Sequence, residues 1–93
     1  MHRRVHIWVS GRVQGVFYRA SAQQKAESLC LSGWTRNLAD GGVEILAEGK
    51  DADIRAFIEW CGYGPRWAQV DELKVIDETP KGEFTGFDVY RDG

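Results

Sequence analysis

The sequence is poor in the residues and segments that build disulfides, metal centres and membrane anchors. Its 93 residues include two cysteines and two histidines, with no Cys-x-x-Cys pair and no histidine cluster, so a metal site is not expected. No apolar run approaches the roughly 18 residues of a membrane span. The first residues also lack the apolar stretch and cleavage site of a signal peptide. We therefore expect a cytoplasmic protein without a metal or other cofactor and without a membrane partner.

A single domain, residues 1–93, is what this length and composition predict. The chain is 43% hydrophobic and 28% charged, values typical of a globular protein, and it contains no repeat or low-complexity segment. Its net charge of −2 argues against a general nucleic-acid binder, but residues 1–37 carry +5 and residues 38–93 carry −7. A local anion site in the first third of the chain fits this distribution, as would surface charges that are merely scattered unevenly.

The first part of the chain shows a strand pattern followed by a helix pattern. Apolar residues at every second position from Val5 to Val9 predict a strand that ends near Ser10. From about Tyr18 the spacing becomes helical, and one apolar stripe is formed by Ala22, Ala26, Leu29 and Cys30. Gly33 supplies a left-handed residue at which this helix can stop.

The rest of the chain adds further strands and a second helix. Residues 34–38 and 43–47 predict antiparallel strands joined by a turn at residues 40–42. Asp51 can cap a helix whose buried face is formed by Ile54, Phe57, Ile58 and Cys61. Two extended segments follow, around Val70–Val75 and Phe87–Val89. The order β-α-β-β-α-β predicts a ferredoxin-like α+β fold, an antiparallel sheet of four to five strands with both helices on one face.

The two cysteines are predicted to be free and buried. Cys30 and Cys61 both fall on apolar helical stripes, where a thiol behaves as a small apolar side chain. Each lies near the C-terminus of its helix, and the helices are expected to run antiparallel. The separation should therefore exceed the roughly 7 Å that a disulfide can bridge.

The connection between the first strand and the first helix has the features of an anion-binding turn. Residues 11–18 contain two glycines, which tolerate the positive backbone angles that let successive N–H groups point at one oxyanion. The following helix adds its unpaired N–H groups, and Arg19 adds a planar fork suited to two phosphate oxygens. No Gly-Lys-Ser/Thr follows, so this is not a Walker-type loop. On this pattern alone, a phosphate ligand and a solvated surface residue are equally acceptable interpretations of Arg19.

Two segments resemble the signatures of one family. Residues 9–19 (VSGRVQGVFYR) look like the first signature of the acylphosphatases, and residues 33–44 (GWTRNLADGGVE) are similar to the second. Gly64-Pro65, with the residues that follow, matches a weaker third feature. The resemblance covers essentially the whole chain, in the right order and at the right spacing. It also shows departures: many members have Gly-Phe where this chain has Phe17 and Tyr18, and often Gly in place of Cys30.

The resemblance implies hydrolysis of an acyl phosphate to a carboxylate and inorganic phosphate by a metal-independent acylphosphatase. Arg19 would bind the phosphate and Asn37 the attacking water, and the other binding residues would be Gln14, Gly15, Val16, Phe17 and Tyr18. Because strands in a β-α-β crossover run parallel, Asn37 should lie at the same sheet edge as the loop. The expected partners are a small acyl phosphate and inorganic phosphate, the latter as product and inhibitor, and the protein is expected to be a monomer that does not bind nucleic acid.

The chemistry of an acyl phosphate explains why no acid residue has to be found. Its leaving group is a carboxylate, which is weakly basic near pH 7 and departs with little help from a general acid. What remains is to orient a water molecule and to neutralise charge on the phosphoryl oxygens. Because neither signature contains a suitably placed histidine or carboxylate, we expect the proton of the water to pass to a substrate oxygen.

Two other functions stay open on the sequence. An RNA-binding module of the same architecture would stack bases on aromatic side chains of the open sheet face. The first strand would offer His6 and Trp8 on that face, but the third would present Glu44, Leu46 and Glu48, whose carboxylates repel a phosphate backbone. A degenerate domain that binds small anions, or serves as a regulatory or carbamoyl-phosphate-processing unit, is the other alternative. The intact arginine and asparagine of the signatures weigh against degeneracy.

Overall fold

The structure is a computed structural model that describes residues 2–90. Its elements are β1 (His2–Arg12), α1 (Tyr18–Ser28), β2 (Ser32–Asn37), β3 (Val43–Lys50), α2 (Asp51–Cys61), β4 (Gln69–Glu78) and β5 (Phe87–Val89). The predicted order of strands and helices is confirmed. Helix α2 begins at Asp51 itself, with Lys50 at the capping position, so Asp51 acts within the first turn and not as the cap.

The strands form one five-stranded sheet in the order β4-β1-β3-β2-β5. The pairs β4–β1, β1–β3 and β3–β2 are antiparallel, as predicted, whereas β2 and β5 are parallel. The sheet is therefore mixed and not purely antiparallel, because the chain crosses from the β4 edge to the opposite edge before it forms β5. Since β1 and β2 both run antiparallel to β3, they point the same way.

The hydrophobic core lies between the sheet and the two helices, which contact each other and the sheet. Alternate residues of β1 face it, and Val5, Ile7 and Val9 are almost completely buried. On α2 the predicted stripe is confirmed, with Ile54 and Phe57 fully buried. The period-two and helical patterns of the sequence thus correspond to the faces that exclude water.

The opposite face of the sheet carries a network of charged side chains at the end where β1 begins. Arg4 bonds Glu78 through Nε at 3.0 Å and Glu83 through Nη1 at 2.6 Å, and it lies 3.7 Å from Glu48. These four residues are called the far-end network below. A hydrogen bond from His6, helped by Arg4, holds the pKa of the Glu78 carboxyl below its usual value although burial opposes this.

The far-end network anchors the segment that connects β4 to β5. This crossing segment, residues 79–86, passes over the sheet, and the Glu48 carboxylate accepts the backbone N–H groups of Lys81 (3.1 Å) and Gly82 (2.7 Å). At its end, Gly33 N donates to Gly86 O at 2.9 Å. The ionic network therefore holds in place the chain that delivers β5 to the far edge of the sheet.

Helix α1 ends earlier than the apolar pattern predicted. Leu29 occupies the C-cap and Cys30, with φ 57°, is the left-handed residue, whereas Gly33 lies within β2. Cys30 is exposed, so the prediction that it is buried was wrong, because the helix stops before that position returns to the core. Cys61 is buried, which raises the pKa of its thiol to about 12, and both cysteines are free.

The register also places the predicted residues of the open face. Trp8 pairs with Glu44 and His6 with Leu46 across β1 and β3, as the strand patterns indicated. The His6 ring stacks on Trp8 with centroids 4.0 Å apart, and its two nitrogens bond Glu44 and Glu78. These rings are engaged by their neighbours within the sheet.

Candidate active site

The loop between β1 and α1 alternates in backbone handedness. Gly15 and Phe17 have positive φ values of 75° and 63°, while Gln14 and Val16 do not. Such alternation turns successive N–H groups toward one side and forms a concave anion-binding nest. Within residues 2–90, no hydrogen bond uses the N–H groups of Gly15, Val16, Phe17 or Tyr18. The loop therefore presents a row of backbone donors.

Helix α1 adds its positive end to the same place. Phe17 is its N-cap in a left-handed conformation, with no side-chain cap, and its first turn contains no acidic residue. The macrodipole of a helix favours an anion at such an end. A left-handed non-glycine residue costs about 1 kcal/mol or slightly more, so the fold accepts strain at Phe17 to shape this loop.

Arg19, in the first turn of α1, reaches from the helix toward the last strand. Its Nη1 donates to the backbone carbonyl of Tyr90 at 2.6 Å, which fixes one side of the half-buried guanidinium. The side chain lines a cavity of about 310 Å³, together with Val13, Gly15, Phe17, Tyr18, Ala20, Asn37 and Val89. The planar fork of an arginine in such a cavity suits two oxygens of one phosphate group.

Asn37 is the last residue of β2 and lines the same cavity as Arg19. Its side-chain oxygen is buried. Arg19 and Asn37 line one cavity because β1 and β2 run in the same direction, which brings the end of β2 beside the loop that leaves β1. The structure thus places both signature residues at one sheet edge, as the topology predicted.

The remaining predicted binding residues are placed in different ways. Gly15, Phe17 and Tyr18 line the cavity, whereas Gln14 and Val16 do not. Val16 packs against the core, and the side-chain amide of Gln14 bonds two carbonyls of the β2–β3 turn. For these two residues only the backbone remains to face an anion.

Tyr18 contributes its backbone to the loop and its ring to the core. The ring is buried, and its centroid lies 5.4 Å from that of the Trp60 ring. Its hydroxyl donates to the carbonyl of Cys61 at 2.7 Å. Burial raises the pKa of this phenol far above its ordinary value, so it stays neutral. Its role in the site is to anchor the start of α1 to the end of α2.

Sequence reasoning missed the wall that β5 supplies to the cavity. Val89 lines it, and the carbonyl of Tyr90 accepts the bond from Arg19. A three-residue strand at the chain's end gives a weak periodic signal, and nothing local indicates that it pairs with β2. Val13 and Ala20 also line the cavity. Both could have been predicted as site residues, because Val13 precedes the loop residues and Ala20 follows Arg19 in the sequence.

Comparison with known proteins identifies the family to which this site belongs. The family model described as Acylphosphatase matches residues 5–89. The chain belongs to the acylphosphatase family. It is 53% identical to the acylphosphatase of Methylococcus capsulatus over 97% of this chain and 98% of that protein, and 54% identical to that of Marinobacter nauticus over 90% and 91%. The crystal structure of acylphosphatase from Bacillus subtilis superposes with a TM-score of 0.91 at 34% identity, covering 97% of this chain and 99% of the other.

The acylphosphatase assignment settles the reaction class. The protein is a hydrolase that converts a small acyl phosphate to a carboxylate and inorganic phosphate, which confirms the activity implied by the two signatures. The ferredoxin-like α+β fold is likewise confirmed. Neither helix within residues 2–90 has the length and apolar character needed to span a bilayer.

Proposed function

We propose that in this acylphosphatase the loop amides and Arg19 hold the phosphoryl group while Asn37 orients the attacking water. The observation that supports this is that residues carrying three kinds of donor line one cavity of about 310 Å³. Its wall is formed by residues of the loop, by Arg19 from α1 and by Asn37 from the end of β2. These residues carry backbone N–H groups, a guanidinium and a side-chain amide. Each is a hydrogen-bond donor for oxygen, and only one of them carries a charge.

The loop and Arg19 stabilise the transferring group electrostatically. In a loose phosphoryl-transfer transition state, charge is spread over three equatorial oxygens, and fixed donors aimed at them lower the barrier. The donors of residues 14–18 are fixed by the backbone, and Arg19 is fixed by its bond to Tyr90 O. Because these groups are oriented before the substrate arrives, little reorganisation is needed during the reaction.

Asn37 acts on the water and not on the leaving group. It lines the cavity from the end of β2, where an amide can hold a water molecule for in-line attack on phosphorus. Among residues 2–90, no histidine or carboxylate lines this cavity. The proton of the water therefore passes to an oxygen of the phosphoryl group, and the P–O bond to the carboxylate breaks as the new P–O bond forms.

The leaving group makes both a general acid and a metal ion unnecessary in this proposal. A carboxylate leaves as a weakly basic anion without being protonated, so the site needs no acid residue. The positive charge of Arg19 and the dipole of α1 balance the charge of the phosphoryl oxygens. Inorganic phosphate fits the same donors and should inhibit competitively, and a monomer suffices because one chain supplies all of these groups.

Hydrolysis of benzoyl phosphate in the presence of a chelator tests the proposal directly. With excess EDTA, the wild-type protein should keep its full rate, because charge neutralisation comes from the protein. Activity that falls with EDTA and returns on addition of a divalent cation would contradict the metal-independent mechanism. Inorganic phosphate should raise the apparent KM and leave kcat unchanged.

A further inference from the structure

Gln14 lies in the phosphate-binding loop, but its side chain is directed to a different part of the molecule. Its Nε2 atom donates one hydrogen bond to Leu38 O at 2.7 Å and a second to Gly42 O at 2.8 Å. These carbonyls are the first and last of the turn that joins β2 to β3. Leu38 directly follows Asn37, so one side chain links the loop to the residue next to the asparagine.

The turn does not need Gln14 to satisfy its own backbone groups. Leu38 N donates to Gly42 O at 2.8 Å, and Gly41 N donates to Leu38 O at 3.2 Å. The carboxylate of Asp40 accepts the N–H group of Gly42 at 2.8 Å. Both carbonyls that Gln14 contacts therefore have another donor, and removing the amide would leave neither one unsatisfied. The bonds of Gln14 connect two segments that are each already formed.

A second contact brings the same turn against β1. A Cβ atom on Gly42 would lie 2.8 Å from Val9 O, so the turn approaches the backbone of β1 more closely than any side chain at position 42 allows. Val9 is near the end of the strand that leads into the phosphate-binding loop. The turn is thus seated on β1 at Gly42 and tied to the loop at Gln14, which makes the loop and the end of β2 one unit.

We propose that Gln14 is a positioning residue that sets the place of Asn37 relative to the phosphate-binding loop. The inference rests on the proposed function, in which the loop holds phosphorus and Asn37 holds the attacking water. In-line attack depends on the position of the water oxygen relative to the phosphorus atom, and a displacement of about 1 Å can lower a rate by about 10²-fold. By bonding the turn next to Asn37, the Gln14 amide fixes the position of Asn37 relative to the loop without contacting the substrate.

The Gln14→Met variant tests this because it keeps the length of the side chain and removes both donors. We expect kcat for benzoyl phosphate to fall about tenfold or more, while the inhibition constant of inorganic phosphate changes less than about threefold. The matched control is Gln23→Met, since Gln23 also donates its amide to a backbone carbonyl, that of Phe87 at 2.9 Å. The control should keep kcat within about twofold of wild type.

A double-mutant cycle shows whether Gln14 acts through Asn37. If it does, adding Gln14→Met to Asn37→Ala lowers kcat by less than about twofold, because there is no longer an aligned water to misplace. Independent, multiplicative effects of the two changes would overturn the positioning role while leaving the water-orienting role of Asn37 intact. Near-normal turnover of Asn37→Ala alone would overturn both. If urea melts show Gln14→Met to be unfolded, Gln14→Asn, whose shorter side chain cannot reach both carbonyls, takes its place with the same expectations.

Discussion

The two ends of the sheet are built from different chemistry. At the far end, Arg4 and Glu48 are only 6% and 4% exposed. Arg4 donates to the carboxylates of Glu78 and Glu83, and Glu48 accepts backbone N–H groups of the crossing segment. At the site end, the loop presents backbone donors that no hydrogen bond within residues 2–90 uses. It also contains Phe17 in a left-handed conformation.

This difference separates the residues that stabilise the fold from those proposed to serve the reaction. Buried charges that satisfy one another hold the crossing segment over the sheet, and removing one partner leaves the others uncompensated. Donors without an internal partner add little to stability but remain available for an anion. Substitutions at the far end should therefore lower stability and preserve kcat. Substitutions at the site end should lower activity and leave stability nearly unchanged.

The largest effect is expected from Arg19→Ala at the site end. Loss of the guanidinium should lower kcat/KM for benzoyl phosphate by about 10³-fold or more and abolish inhibition by phosphate, because in the proposed mechanism binding and transition-state stabilisation both depend on it. Arg19→Lys should recover only part of this, since an ammonium cannot bind two oxygens in one plane. Arg66→Ala, which removes an exposed arginine beside Trp67, is the control. Comparable loss in the control would contradict a specific role for Arg19.

Asn37→Ala should have the next largest effect and should separate turnover from binding. We expect kcat to fall about 10²-fold while the inhibition constant of inorganic phosphate changes less than about threefold, because in the proposed mechanism Asn37 contacts the water and not the phosphoryl group. Asn37→Asp provides the contrast, since its carboxylate faces the bound anion and should weaken phosphate inhibition as well. Unchanged turnover in Asn37→Ala would show that another group orients the water.

At the far end, Glu48→Ala should lower stability and leave the chemistry intact. The change leaves two backbone N–H groups of the crossing segment without their acceptor and removes one carboxylate from Arg4, and we expect a loss of about 3 kcal/mol in urea unfolding. Asp77→Ala is the matched control, because this exposed carboxylate pairs with Arg3 at the same end and is screened by solvent, so its loss should cost much less stability than that of Glu48. If kcat of the folded Glu48→Ala protein fell more than about threefold, the two ends would not be separable.

Sequence patterns predicted those parts of the molecule that depend on local periodicity or on one crossover rule. The alternation from Val5 to Val9 and the stripe from Ile54 to Cys61 identified core faces. The parallel direction of β1 and β2 placed Asn37 beside the loop. These features follow from neighbours along the chain or from the general geometry of sheets.

The unpredicted features depend on contacts between residues distant in the sequence. Within the far-end network, Arg4 bonds Glu78 and Glu83, both more than 70 positions away, and β5 pairs with a strand about 50 residues earlier. The tie between Gln14 and the β2–β3 turn likewise needs the fold before it can be seen. The end of α1 was misplaced for a local reason, because a left-handed Cys30 replaces the glycine that normally marks such a stop.

The smallest effects are expected at Phe17 and Cys30, the two non-glycine residues with positive φ in the part of the chain that the structure describes. Replacing either with glycine should raise the free energy of unfolding by about 0.5 kcal/mol, because relief of the left-handed strain slightly exceeds the added entropy of the unfolded chain. Only Phe17→Gly should also affect the reaction, since its ring is 78% exposed and lines the cavity. We expect the ring to contact the acyl group of the bound substrate, so its loss should raise KM about threefold at unchanged kcat. A similar change in KM for Cys30→Gly would contradict this expectation. It would mean that a change at the C-terminal end of α1 alters the cavity at its N-terminal end.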